Sequence, residues 1–356
     1  MGITDRDLER HSNNLDAIRL FAALFVLIGH APAILYNEGY SWDPINKLFG
    51  LRIQTLGVCI FFVVSGFLVS RSWQERSSIR GFILSRVLRV FPALIVVVVL
   101  SVFVLGPCLT TLSISDYFLS PVTLKYLQNV SLYRMYYYLP GVFEGNPHPG
   151  SVNGSLWTLP YEFTCYLLLM TLGIIKALKN RLVALLIILV IIFQYIIFQS
   201  TVDAMVIPVL GIDFKNLFPL LIYFLCGMLY YQFRDMIKFG TFGWIICAIG
   251  LALIKFGILP QMMFAFILPY FVFALAFSKK LNMRDLGKYG DFSYGFYLYA
   301  FPMQQLIAYL IPSELSPLSM IVLSTAGTLP FAVLSWRIIE SPALNLRSRL
   351  SKKSVQ

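Results

Sequence analysis

Apolar stretches long enough to cross a bilayer recur along this chain from residue 15 to residue 338, and no other feature restricts its fold so tightly. An α-helix needs about twenty apolar residues to traverse about 30 Å of hydrocarbon. Ten such stretches are predicted, at 15–36, 52–73, 82–106, 155–176, 181–200, 214–233, 241–257, 260–278, 291–311 and 316–338. Only 13% of the 356 residues are charged, where a soluble domain would carry about a quarter. The expected fold is all-α: a polytopic membrane helix bundle of about ten transmembrane helices. It forms a single domain over 1–346, followed by a basic cytoplasmic tail over 347–356, with no separate soluble catalytic module. The N-terminal MGITDRDLERHSNNLDAIRL is too long and too acidic for a cleaved leader, so the first stretch reads as a retained helix.

Lys and Arg set the orientation. With the N-terminus inside, the inner segments are the N-terminal tail, 71–89, 176–181, 234–240, 279–288 and the C-terminal tail. They hold about twenty Lys and Arg, against about six on the other side, as the positive-inside rule requires. Both termini are therefore expected to be cytoplasmic. Topology accounts for the net charge of +11, and no basic soluble domain remains to bind nucleic acid. The five cysteines are scattered, no C-x-x-C occurs, and His11, His30 and His148 lie far apart in sequence. Neither a metal site nor a disulfide framework is expected. No internal repeat is visible, which weakens a transporter built on duplicated halves.

Ionisable groups inside a membrane helix are costly and usually face a cavity or a partner. Arg19 and His30 lie eleven residues apart, so they share one helix face about 16 Å apart along the axis. The competing reading pairs Arg19 with Asp16 and makes His30 a hydrogen-bonded packing residue. Arg86 and Arg89, at i and i+3, repel each other unless an anion lies between them. They read either as a phosphate clamp, since guanidinium forks suit phosphate oxygens, or as interfacial anchors to lipid. Glu162, in NGSLWTLPYEF, is expected about 10 Å below the outer end of its helix, at the depth of His30. It reads either as a partner of that imidazole or as a neutral carboxyl bonded to backbone. Ser65 and Gly66 either line a tunnel or let helices approach closely.

Together these segments resemble acyltransferase family 3, the bacterial membrane acyltransferases that O-acylate polysaccharides and related glycans. The segment LDAIRLFAALFVLIGH resembles that family's first-helix Arg–His signature. SGFLVS, the R-x-x-R of Arg86 and Arg89 with Pro92 after it, SLWTLPYEF, YGFYLYAFP and IIESP follow in the family's order. The resemblance implies a bacterial cytoplasmic-membrane location, an acyl-CoA donor used from the cytosol and a glycan acceptor on the outer side. By position it makes His30 the essential histidine, Arg19 its partner, and Arg86 and Arg89 the pair that contacts the donor. Glu162 matches a carboxylate of the fourth-helix motif. Ala300 stands where many members carry a histidine, and the C-terminal hydrolase-like domain of many members is not expected here.

The leading expectation is an O-acyltransferase that moves a short acyl group, acetyl first among candidates, from acyl-CoA to a sugar hydroxyl. His30 would act as general base and Glu162 would orient it. Arg86, Arg89 and Arg19 would hold the donor's phosphates, with Ser65 nearby. An acyl-histidine relay is a variant of the same chemistry, and a homo-oligomer is left open. The alternative is a polytopic transporter or exporter of an anionic small molecule, which liposome flux without acyl-CoA binding would favour. An H-x-x-x-x-D pattern occurs only at His11–Asp16, ahead of the first span, where it reads as chance. The long outer segment 107–154 carries Tyr117, Tyr126, Tyr133, Tyr136, Tyr137 and Tyr138. These read either as sugar-stacking rings or as an interfacial aromatic belt.

Overall fold

The computed structural model describes residues 2–9, 12–36, 43–76, 78–207, 210–312 and 315–346. His11 and the basic tail 347–356 lie outside them. A helix forms at each of the ten predicted stretches. They are α1 (Leu15–Tyr36), α2 (Ile53–Arg76), α3 (Ile79–Leu100), α4 (Leu159–Ile174), α5 (Arg181–Asp203), α6 (Phe214–Gln232), α7 (Thr241–Lys255), α8 (Phe264–Ala276), α9 (Ser293–Leu310) and α10 (Pro317–Leu334). Among the described residues, six helices are long and apolar enough to cross a membrane by length and composition: α1, α2, α5, α6, and the extended forms of α3 and α10. Helices α7 and α8 are apolar but shorter. Helix α9 packs at the centre with most of its residues buried, which is why it carries Gln304 and Gln305 without facing lipid. The structure is thus a helical membrane bundle, and the expected count of ten spans is not established by helix length and composition. The β-structure among the described residues is a two-residue antiparallel ladder, β1 (Val206–Ile207) with β2 (Ile212–Asp213), and an isolated antiparallel bridge between Tyr138 and Ser151.

Helices α2, α3, α5 and α10 outrun their predicted ends, two of them through π-helical turns. Helix α3 continues through a π-helical turn at Ser101–Leu105 to Leu109, and α10 through another at Ser335–Glu340 to Leu346. Such turns insert a residue into the i→i+4 ladder and often mark functional positions. The second carries Glu340 into the bundle, where it is buried.

The segments assigned to the inside meet at one end. Ile3 N–H donates to Arg234 O, Arg71 to Leu8 O, and Asn14 to the carbonyls of Leu275 and Leu281. Arg181 pairs with Asp235 at 3.1 Å. Outer segments meet at the other end, where Gln261 donates to Gly50 O and Asn146 to Gln305 O.

The centre of the bundle is α1, α2, α6 and α9. Helix α2 packs most extensively on α1 and α6, and α1 in turn on α9. Small residues allow this. Gly66 lies against the backbone of Phe224 and Gly227 against that of Val63, so a side chain at either position would collide with the facing helix. That is the close approach small residues permit between membrane helices. Gly66 is therefore a packing residue, whereas its neighbour Ser65 lines a cavity.

Candidate active site

Five residues marked by the sequence converge on that cavity. It has a volume of about 330 Å³, and Arg19, Ser65, Arg86, Arg89 and Glu162 all line it. Tyr166, Asp291, Tyr294 and Tyr297 complete much of the remaining wall.

Charge in the cavity is compensated by protein carboxylates. One oxygen of Asp291 accepts from both Arg19 and Arg89, the latter at 2.7 Å. Its other oxygen accepts from the Ser293 hydroxyl at 2.5 Å. Arg89 also lies 3.6 Å from Glu340, whose second oxygen accepts from Ser335 at 2.8 Å. Arg19, Asp291, Arg89 and Glu340 thus alternate part-buried guanidinium groups with buried carboxyl groups. The anions that relieve repulsion beside Arg89 belong to the chain itself. Arg86 is held differently. Its guanidinium lies 5.5 Å from the Tyr166 ring centre and 5.9 Å from that of Phe82, and it donates to Ser85 and Ser72. Such stacking orients a guanidinium while leaving its edge to hydrogen-bond.

Asp291 and Glu340 were not singled out from the sequence. Asp291 sits at the edge of a predicted stretch and Glu340 just past the end of another, where charges are ordinarily solvated. The available signal was an acidic residue within one helical turn of an apolar run.

Glu162 does not partner His30. Its Oε1 accepts from Ser65 at 2.8 Å and from the Tyr166 hydroxyl. The register of α1 on α2 gives its depth. Gly29 lies against Gln54, and Gly57 against Ala22 and Val26, so the two helices run antiparallel. Ser65 is eight residues inward of Gly57, about 12 Å, which brings it near the turn of α1 that carries Arg19. His30 lies about 9 Å outward of the same contact. The expected equal depth fails because the start of α4 is submerged. Residues Val152, Asn153, Ser155, Leu156 and Thr158 are all buried, and the 3₁₀ turn Gly154–Thr158 leads into the helix inside the bundle. Non-helical backbone is tolerated at such depth only where protein satisfies it. Here Asn153 donates to Leu298 O, and the Tyr297 hydroxyl donates to Ser155 O.

His30 stands further out and is not among the residues lining the cavity. Its Nδ1 lies 2.9 Å from Val26 O, a carbonyl that accepts from the ring when Nδ1 carries the hydrogen. The imidazole meets the Phe301 ring edge-on at 5.3 Å, and His148 meets the same ring at 6.1 Å. Tyr297, one turn inward of Phe301, lines the cavity's outer end; its hydroxyl lies 2.5 Å from Thr158 Oγ1. The structure therefore brings together Arg19, Arg86, Arg89, Ser65 and Glu162, and places His30 beyond the Tyr297–Phe301 step.

The structure is a helical membrane bundle with an arginine-lined cavity, and the comparisons with known proteins give its class. The family model described as an acyltransferase domain matches residues 12–337, and the chain belongs to that family. It is an O-acyltransferase. Two relatives match nearly end to end. Nodulation protein 10 of Rhizobium leguminosarum bv. viciae is 30% identical over 368 residues, covering 98% of each chain. An O-acetyl transferase of Shigella phage Sf6 is 28% identical over 351 residues, covering 95% of this chain and 97% of its own. No solved structure gives a significant match.

Proposed function

We propose that the enzyme, spanning the bacterial cytoplasmic membrane with its ten helices, transfers a short acyl group from cytosolic acyl-CoA to a glycan hydroxyl. The name of the phage relative, an O-acetyl transferase, favours acetyl, and the acceptor is taken as a cell-surface or secreted glycan. The observation that carries the reading is the convergence of Arg19, Ser65, Arg86, Arg89 and Glu162 on one cavity, with His30 three turns outward on the face of α1 that carries Arg19.

In this reading the donor's phosphates lie at the arginine-rich inner end, and the guanidinium edge of Arg86 addresses them. Arg19 and Arg89, already bridged by Asp291, set the cavity's shape and potential. Glu162 holds Ser65 and Tyr166, and Tyr166 in turn supports Arg86. The pantetheine arm runs outward, and the Tyr297 ring moves aside as the donor is seated. His30 Nε2 takes the proton of the acceptor hydroxyl as its oxygen attacks the thioester carbonyl. The carbon–sulfur bond breaks, and the imidazolium returns that proton to the departing thiolate.

The test compares acyl groups on the cell's glycans, by mass spectrometry, among cells with the protein, without it, and with His30→Ala. Loss of acylation by about 10²-fold or more, at unchanged protein level, is expected for His30→Ala. Undiminished acylation would rule the role out.

A further inference from the structure

A second recess, of about 770 Å³, opens at the outer end and is lined chiefly by aromatic rings. One wall is the strap 133–137, the other is Trp157, Pro160 and Tyr161, and Gly211 and Asn216 close the rim. The strap is held from several directions. Buried Asn129 accepts from Tyr136 N–H at 2.7 Å and donates to Tyr136 O at 2.8 Å. Val152 N–H donates to Tyr137 O at 2.7 Å, and Tyr133 lies 3.3 Å from Thr164 through their hydroxyls. Leu132, just before the strap, has a φ of 67°, a conformation that leucine rarely adopts and that must be imposed by its surroundings.

This recess and the arginine cavity share a wall. Along 157–162, Thr158, Leu159 and Glu162 face the cavity, while Trp157, Pro160 and Tyr161 face the recess. Successive residues of a helical turn point about 100° apart, so a single turn separates the two spaces. The same segment leads to the histidine. Gly154 lies against the Phe301 ring on which His30 rests, and Trp157 is about 6 Å further along the 3₁₀ turn.

The six tyrosines of the outer segment are sorted by this arrangement. Tyr117 and Tyr126 are fully buried in the core, and Tyr138 is exposed outside the recess. Tyr133, Tyr136 and Tyr137 line it. An aromatic belt turns its rings toward the headgroups around the whole bundle. Here they face a concavity, Trp157 meeting Tyr161 edge-on at 5.7 Å, beside the polar side chains of Arg134 and Asn216.

We infer that this recess is the acceptor subsite, which takes a pyranose ring of a saccharide against Trp157, Tyr161 and Tyr137. The inference rests on the proposed transfer for its purpose, but its chemistry stands apart. A pyranose has C–H faces and a rim of hydroxyls. Tyr and Trp offer apolar faces with polar tips, and Arg134 and Asn216 supply hydrogen-bond groups for the rim.

The experiment uses the full chain in detergent on a printed array of bacterial surface oligosaccharides, with acetyl-CoA binding measured in parallel. The unmodified chain binds at least one pyranose oligosaccharide. Trp157→Ala and Tyr137→Ala each weaken that binding tenfold or more, and Arg134→Gln, at an exposed position tolerant of change, weakens it severalfold. Tyr138→Ala binds as the unmodified chain does, and acetyl-CoA affinity stays within twofold throughout. Absence of any oligosaccharide binding overturns the inference, as does unchanged binding in well-folded Arg134→Gln and Tyr137→Ala. Equal weakening by Tyr138→Ala also overturns it, because a general belt would then suffice. Oligosaccharide binding that depends on Trp157 and Arg134, in a chain that transfers no acyl group in cells, supports the subsite and rejects only the transfer.

Discussion

The two spaces on either side of residues 157–162 are built on opposite principles. The inner cavity, about 330 Å³, is lined by ionisable groups, with Asp291 bridging Arg19 and Arg89. The outer recess, about 770 Å³, sets the aromatic rings of an irregular strap against Trp157 and Tyr161, with Arg134 and Asn216 as its polar side chains. Charge buried in a bundle must be paired where it stands, which rigidifies the inner space. Aromatic rings at the outer end carry no such obligation, so that wall is free to be shaped by loop geometry. A rigid, charged chamber suits an anionic ligand, and a loop-built aromatic one suits a ligand with apolar faces.

Removing the carboxylate at the heart of the inner space is the harshest way to break this contrast. Asp291→Ala leaves two guanidinium groups facing each other and should cost about 3–5 kcal/mol, read as a large fall in thermal midpoint in detergent together with loss of transfer. A small effect would mean the inner space is not held by its charges.

Arg86→Ala comes next. This guanidinium rests on rings, so its loss should spare the fold and weaken coenzyme A binding by about 1.5–3 kcal/mol, the range of hydrogen bonds to a charged group. Titration calorimetry checks it, and unchanged affinity would move the donor's phosphates elsewhere.

On the outer side, Asn129→Ala leaves the Tyr136 N–H without its acceptor and should cost about 1–3 kcal/mol. It should raise the KM for acceptor while leaving donor affinity intact; a matched loss of both would erase the distinction between the two spaces. Tyr297→Phe, at their boundary, removes hydroxyl contacts to Thr158 and Ser155 worth about 1 kcal/mol. Faster hydrolysis of acyl-CoA in the absence of acceptor would identify the ring as the barrier between them.

The helices were legible because run length and hydropathy act locally, and every predicted stretch from 15–36 to 316–338 contains one. That Arg19, Arg86, Arg89 and Glu162 each need polar company was legible for a related reason: a polar residue in a hydrocarbon-spanning helix needs a polar neighbour. That Glu162 joins the arginines rather than His30 was not. Neither was depth. Glu162 was placed from the presumed outer end of α4, yet that helix begins inside the bundle, and no local pattern reveals a submerged entry. Asp291 and Glu340 escaped because they stand at the margins of apolar runs. Their burial follows from how α9 docks and from a π-helical turn that extends α10 past its expected end. Likewise nothing in the tyrosine-rich segment separates Tyr117, which donates to Val102 O in the core, from Tyr137, which lines the recess.

The ion pair of Arg19 with Asp291 joins residues 272 positions apart. At a synthesis rate of about 5–20 residues per second, the first helix waits on the order of tens of seconds for its counter-charge. Through that interval, its arginine must be sheltered by water, lipid phosphate or the insertion machinery. Assembly therefore finishes at the charged cavity rather than starting from it, and a ribosome that stalls before α9 leaves behind a bundle whose most polar face has no lock.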